Sequence, residues 1–126
     1  MPLVKIFLRR GKSPEYLRSV GDAVHDALVA EANVPIDDRF QIIQQLDDDL
    51  LIAHPSYGGV TRSRDLIIVE VTLNAGRTLE IKKNLYADMA ARLSEAVDLR
   101  SDDLLVSLVE VTKENWSFGG GRCTYG

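Results

Sequence analysis

The chain is expected to fold as an α/β (α+β) unit built from a doubled β-α-β pattern, with a four-stranded sheet and two helices on one face. Three observations predict this. Short apolar runs alternate with amphipathic stretches in the order strand, helix, strand, twice over. The two halves superpose at a fixed offset of 65 residues. The length, 126 residues with 45% hydrophobic and 27% charged side chains, suits one domain with a buried core.

Residues 3–8 (LVKIFL) read as a buried strand. Ser13 stands as a helix N-cap with Pro14 at the first helical position. Leu17, Val20, Val24 and Leu28 follow at helical spacing, with Asp22 and Asp26 off that face, over about five turns. Asn33-Val34-Pro35 ends the helix, and residues 39–45 (RFQIIQQ) return as a strand. The second cycle opens at 66–73 (LIIVEVTL). Thr78 is its N-cap candidate and Glu80 lies in an acidic first turn. Leu85, Met89, Leu93 and Val97 form its apolar stripe, and 104–111 (LLVSLVEV) closes as a strand. One domain over 1–126 is therefore expected: repeat one at 2–45, a connecting loop at 46–65, repeat two at 66–111 and a carboxyl-terminal loop or hairpin at 112–126.

The repeat is clearest where geometry restricts the residue. At the 65-residue offset Gly11 falls on Gly76, Lys12 on Arg77, Ser13 on Thr78 and Asp37-Asp38 on Asp102-Asp103. A second echo, Ser56-Tyr57-Gly58-Gly59 and Ser117-Phe118-Gly119-Gly120, follows each half. The first strand carries Leu3 and Phe7 on one side of the pleat and Val4, Ile6 and Leu8 on the other, so both sheet faces call for burial. Helices cover one; self-association into a closed oligomer would bury the other.

A net charge of −4 argues against a general nucleic-acid binder. No apolar run approaches a membrane span and no signal peptide is evident, so no membrane association is expected. The lone Cys123 fits a reducing compartment such as the cytoplasm, and the scattered His and Cys residues offer no metal-ligand spacing. Gly119-Gly120-Gly121 lacks the following Lys-Ser/Thr of a phosphate loop, and Asp47-Asp48-Asp49 reads as a solvated loop.

The amino terminus is the chemical lead. Removal of Met1 would leave Pro2 with a secondary amine, a base and nucleophile held by the strand that starts next to it. Free α-amino groups titrate at about pH 8, within reach of neutrality through desolvation or neighbouring cations. Such a base suits proton abstraction beside a carbonyl.

Pro2-Leu3-Val4-Lys5-Ile6, the doubled β-α-β and the RRGKS turn resemble the tautomerase superfamily. Val34-Pro35-Ile36-Asp37-Asp38-Arg39-Phe40-Gln41 and Asn115-Trp116-Ser117-Phe118-Gly119 look more specifically like its malonate semialdehyde decarboxylase branch. The resemblance spans Pro2 to Arg122. It implies a homotrimer, a terminal proline acting as general base or acid, a small carboxylate-bearing substrate, and no metal or organic cofactor. It further implies that Pro2 and Asp38 are catalytic and that Arg77 binds the substrate carboxylate. Trp116 and Phe118 would form a hydrophobic wall, and Lys12 resembles a substrate-contacting basic residue of the small tautomerases. The second arginine of related branches is absent: Asn74, Ala75 and Gly76 occupy its stretch.

Each residue also has a plainer reading. Asp38 lies in a helix-to-strand loop that takes Asp in both halves, and Lys12 sits where the dormant copy of a site would fall. Trp116 and Phe118 can be packing residues. Tyr57 can offer a hydroxyl, or SYGG is only a turn. Arg77 opens a helix, where a cation is electrostatically misplaced unless it serves another purpose. Arg39 and Arg62 are minor ligand-contact candidates, and His25 is expected on the helix surface.

The leading expectation is a cofactor-free keto–enol tautomerase acting on a small 2-oxo or enol acid, since one poised base suffices for that reaction. Decarboxylation of a 3-oxo acid is the runner-up. A non-catalytic binding protein with the same fold is the third.

Overall fold

The computed structural model describes residues 1–126. Strand β1 (Leu3–Arg9) leads to helix α1 (Pro14–Glu31) and strand β2 (Gln41–Leu46). Strand β3 (Ile67–Asn74), helix α2 (Leu79–Val97) and strand β4 (Leu104–Val111) repeat the motif. The sheet order is β2-β1-β3-β4. β1 runs parallel to β2 and β3 parallel to β4, while the central pair β1 and β3 is antiparallel. This is the doubled β-α-β sandwich expected from the sequence.

The local signals act as anticipated. Ser13 Oγ accepts from the Tyr16 amide, and Thr78 Oγ1 from the Ile81 amide, so both helices start on side-chain caps. Both also end alike: Asn33 and Asp98, 65 residues apart, take left-handed φ angles of 59° and 56°. Val4, Ile6 and Leu8 of β1 and Val69, Val71 and Leu73 of β3 point to the helices, where they meet Val24, Leu28, Leu85, Met89 and Leu93. At Gly21 a Cβ would lie 2.8 Å from Gln41 Oε1, and the Gln41 amide donates to the Gly21 carbonyl. That glycine lets α1 dock closely on β2.

Two strand starts differ slightly from expectation. Arg39 and Phe40 stay outside β2, because the Asp38 and Arg39 amides close a turn on Pro35 and Asp37. β3 begins at Ile67, the buried Leu66 amide being bonded to the Ser63 carbonyl.

The sheet face away from the helices is mixed. Phe7 and Ile68 stand directly opposite each other, next to a Lys5–Glu70 pair in register. Towards the edges Ile42, Leu105 and Val109 are exposed. No helix is long and apolar enough to cross a membrane.

Candidate active site

The antiparallel register of the central strands decides where the site lies. Leu3 pairs with Thr72, so the chain start runs beside the end of β3. The segment after β3 is thereby brought to the amino terminus, and the segment after β1 is carried to the opposite end of the sheet.

At the amino-terminal end Pro2 is buried. The Met1 amine lies 3.3 Å from Asp38 Oδ2, and the Met1 side chain is largely covered. Asp38 Oδ1 is shielded from solvent and accepts no hydrogen bond. A buried carboxylate oxygen with no donor is costly, so Asp38 is held against its own preference beside the terminal amine.

Arg77 follows Gly76, whose φ of +130° turns the chain sharply between β3 and α2. The guanidinium reaches back. Its Nε donates 2.8 Å to the carbonyl of Ala32, the C-cap of α1, and Nη1 donates 3.1 Å to the Asn74 carbonyl. Arg77 is thus misplaced only with respect to its own helix. It compensates the negative end of the other one. Nη2 and the second Nη1 proton have no protein acceptor and can meet a carboxylate side-on.

Asn74 joins two of the expected site residues. Its carbonyl accepts from Arg77, and its side-chain Oδ1 accepts from Trp116 Nε1 at 2.8 Å. Half-buried Trp116 meets Phe118 edge-on at 5.9 Å, and Phe118 meets Tyr125 at 5.6 Å. The Thr124 amide donates to the Trp116 carbonyl and the Phe118 amide to Thr124 Oγ1, so the tail after β4 folds on itself. Glu110 borders the same turn. Lys82, 2.6 Å away, lowers its carboxyl pKa by a hydrogen bond, with the Gly76 amide and Arg77 adding in the same direction.

Pro2, Asp38, Arg77, Trp116 and Phe118 therefore belong to segments gathered at one sheet end. Lys12 does not: it sits past β1, 2.7 Å from Asp65 and 4.8 Å above the Tyr16 ring. Burial there pushes the Tyr16 hydroxyl pKa up, against the opposing pull of Lys12. Within one chain Tyr57 also lies apart. It is 78% exposed on the connecting loop, and its carbonyl accepts from Arg62. Arg39 is engaged with Asp22 and Gln41. The acidic run is partly paired, Asp47 with Arg10 and Asp48 with Arg64.

The opposite end of the sheet differs around its equivalent aspartate. Asp103, the partner of Asp38, is 1% exposed and accepts from the Ser63 amide, Ser63 Oγ and Arg100. The connecting loop fills the place that a free amine takes at Asp38.

His25 corrects the sequence reading. It is buried, not on the helix surface, and its Nε2 donates to the Ile36 carbonyl at 2.7 Å. The apolar stripe of α1 is wider than the sequence spacing suggested, because Gly21, one turn earlier, brings the helix close to β2. That glycine on the buried side was the available signal.

The family profiles described as "Tautomerase enzyme" match residues 38–119 and residues 2–59. "Probable tautomerase YusQ" of Bacillus subtilis (strain 168) is 38% identical over 97% of this chain and 96% of its own length. "Probable tautomerase YrdN" of the same organism is 32% identical over 99% and 96%. Among solved structures, a malonate semialdehyde decarboxylase inhibited by 3-bromopropiolate superposes with a TM-score of 0.90 at 36% identity, covering 98% of this chain and 93% of that one. A native fused 4-OT shares the fold, with a TM-score of 0.80 at 19% identity, covering 98% of this chain and 97% of that one. On sequence and architecture together, the chain belongs to the tautomerase superfamily, within the branch that resembles malonate semialdehyde decarboxylase.

Proposed function

We propose that this protein is a cofactor-free isomerase that moves a proton between oxygen and carbon of a small 2-oxo or enol carboxylic acid. Removal of Met1 leaves the Pro2 nitrogen as a secondary amine at the sheet end where Asp38 already receives the chain terminus. The Pro2 nitrogen takes the enol hydroxyl proton, the carbon–oxygen double bond forms, and the prolinium returns a proton to the neighbouring carbon. The net change is one proton shifted from oxygen to carbon, so a single base completes the cycle. Arg77 holds the carboxylate with the N–H groups left free by Ala32 and Asn74, and Trp116 and Phe118 shield the pocket. Asp38 orients the amine and the incoming hydroxyl. The observation that carries this reading is the Asp38 carboxylate beside the chain start, one oxygen 3.3 Å from the Met1 amine and the other buried without a donor.

Decarboxylation of a 3-oxo acid is the second reading. It is favoured by the 36% identity to a malonate semialdehyde decarboxylase and by the Asp38 carboxylate beside the chain start. There a protonated Pro2 would polarise the 3-oxo group while the carboxylate leaves as carbon dioxide. The test is one preparation of the protein, its intact mass, and two assays: ketonisation of phenylenolpyruvate and carbon dioxide release from malonate semialdehyde. Loss of Met1 and ketonisation that disappears in Pro2→Ala support the first reading. Carbon dioxide release without ketonisation supports the second. A retained Met1, or Pro2→Ala as active as the parent, sinks both and leaves a binding protein.

The active assembly in this proposal is a homotrimer in the cytoplasm, burying Phe7, Ile42, Ile68, Leu105 and Val109 on the open sheet face. Light scattering would then give about 42 kDa, three times the 14.0 kDa chain.

A further inference from the structure

We infer that His25 is a positioning residue for Asp38, acting through its hold on the Ile36 carbonyl. This rests on the proposed role of Asp38.

The turn that carries Asp38 is anchored at both ends. The Val34 amide donates to the Leu28 carbonyl at the end of α1, and the Phe40 carbonyl accepts from Val4 of β1. Between these points Pro35, Ile36 and Asp37 are exposed, so side-chain packing within the chain does not fix them. The Asp38 amide bonds to the Pro35 carbonyl and the Arg39 amide to the Asp37 carbonyl, which shapes the turn but does not attach it. Two side chains attach it to α1: the exposed Arg39–Asp22 ion pair after Asp38 and, before it, the buried His25. At 5% exposure it reaches from α1 and donates 2.7 Å to Ile36, two residues before Asp38. A carbonyl only accepts, so Nε2 carries the proton in this bond.

The other half of the chain shows why this imidazole is not simply a demand of the fold. Its counterpart at the 65-residue offset is Ala90. There the equivalent turn is a short 3₁₀ helix, Ser101–Asp103, and Asp103 is secured directly by Ser63 and Arg100. Where the carboxylate must stay available to a free amine, those direct bonds are missing. The turn is pinned from behind instead.

Three variants test the inference: His25→Leu, which removes the donor; His25→Gln, whose side-chain amide can still donate to Ile36; and the pair His25→Leu/Asp38→Asn. The expected result is that His25→Leu lowers kcat about tenfold with KM held within about twofold, the size of one lost positioning hydrogen bond. His25→Gln recovers most of kcat, and the double variant is no slower than Asp38→Asn alone. Amide hydrogen exchange gives a readout that needs no turnover. The Asp38 amide should exchange at least about tenfold faster in His25→Leu, not in His25→Gln, with α1 amides unchanged. Parental kcat and exchange in His25→Leu, fully multiplicative losses in the double variant, or loss of kcat and KM together in both single variants would overturn the inference. If the parent protein turns over no enol or 3-oxo acid, the functional reading falls, and the exchange measurement still decides whether His25 holds the turn.

Discussion

Trp116 and Asn74 are joined across the sheet end, the indole Nε1 donating 2.8 Å to the amide Oδ1. The bond ties the carboxyl-terminal tail to the last residue of β3, whose carbonyl also holds Arg77. Trp116→Phe and Asn74→Ala should each lower kcat/KM by about 3- to 10-fold, the range of one net hydrogen bond. The double variant should lose little more than either alone, as steady-state kinetics on an enol acid would show.

Arg77→Ala removes a charged donor from the substrate carboxylate and the partner of the Ala32 carbonyl. A charge-assisted bond contributes about 1.5–3 kcal/mol, so kcat/KM should fall roughly 10- to 150-fold, mostly through KM. The methyl ester of the same substrate should be nearly indifferent to the change. Arg77→Lys keeps the charge but not the fork, and should recover only part of the loss.

Gly76 and Gly11 occupy equivalent turns at φ +130° and +116°, conformations that alanine adopts only under strain. Each substitution to alanine should cost about 1–3 kcal/mol in urea unfolding. Only Gly76→Ala should also depress turnover, because Arg77 is the next residue and Gly11 lies at the far end of the sheet.

The two equivalent aspartates should part in the same way. Asp103→Ala leaves the half-buried Ser63 amide without its acceptor and should destabilise by about 1–3 kcal/mol. Its effect on kcat should be small. Asp38→Asn should do the reverse: stability close to the parent and a marked fall in kcat.

Glu110 gives a pH-dependent test. Its folded-state pKa is lowered from 4.5, first by the hydrogen bond from Lys82. A depressed carboxylate contributes stability above its unfolded pKa, and that contribution disappears as pH falls through the folded value. The Tm difference between the parent and Glu110→Gln should therefore be largest near neutrality and vanish in acid.

Most of the fold was legible because it rests on local rules. Ser13 and Thr78 cap where the sequence places them, and the strand β4 falls on its expected residues. The grouping of the candidate site residues was legible only through the family resemblance; the antiparallel centre that brings the end of β3 to the chain start is seen in the structure alone. What stayed hidden were bonds between segments far apart in sequence. Arg77 on Ala32 and Trp116 on Asn74 span 45 and 42 residues, and no spacing rule reports them. His25 escaped for a related reason: Gly21 marks that side of α1 as buried, but the acceptor that satisfies the imidazole, the Ile36 carbonyl, comes from a loop eleven residues on.

The equivalence of Pro2 and Ile67 at the 65-residue offset has a consequence for how the molecule could be rewired. A circular permutant opened ahead of Ile67, with the natural ends joined and proline placed first, would release the Ser63 segment from β3, and Ser63→Gly would remove the hydroxyl from Asp103. A secondary amine would then stand next to that carboxylate, with Lys12 nearby at the same end of the sheet. On the proposed mechanism, the two halves differ in which of their equivalent aspartates an amine can reach.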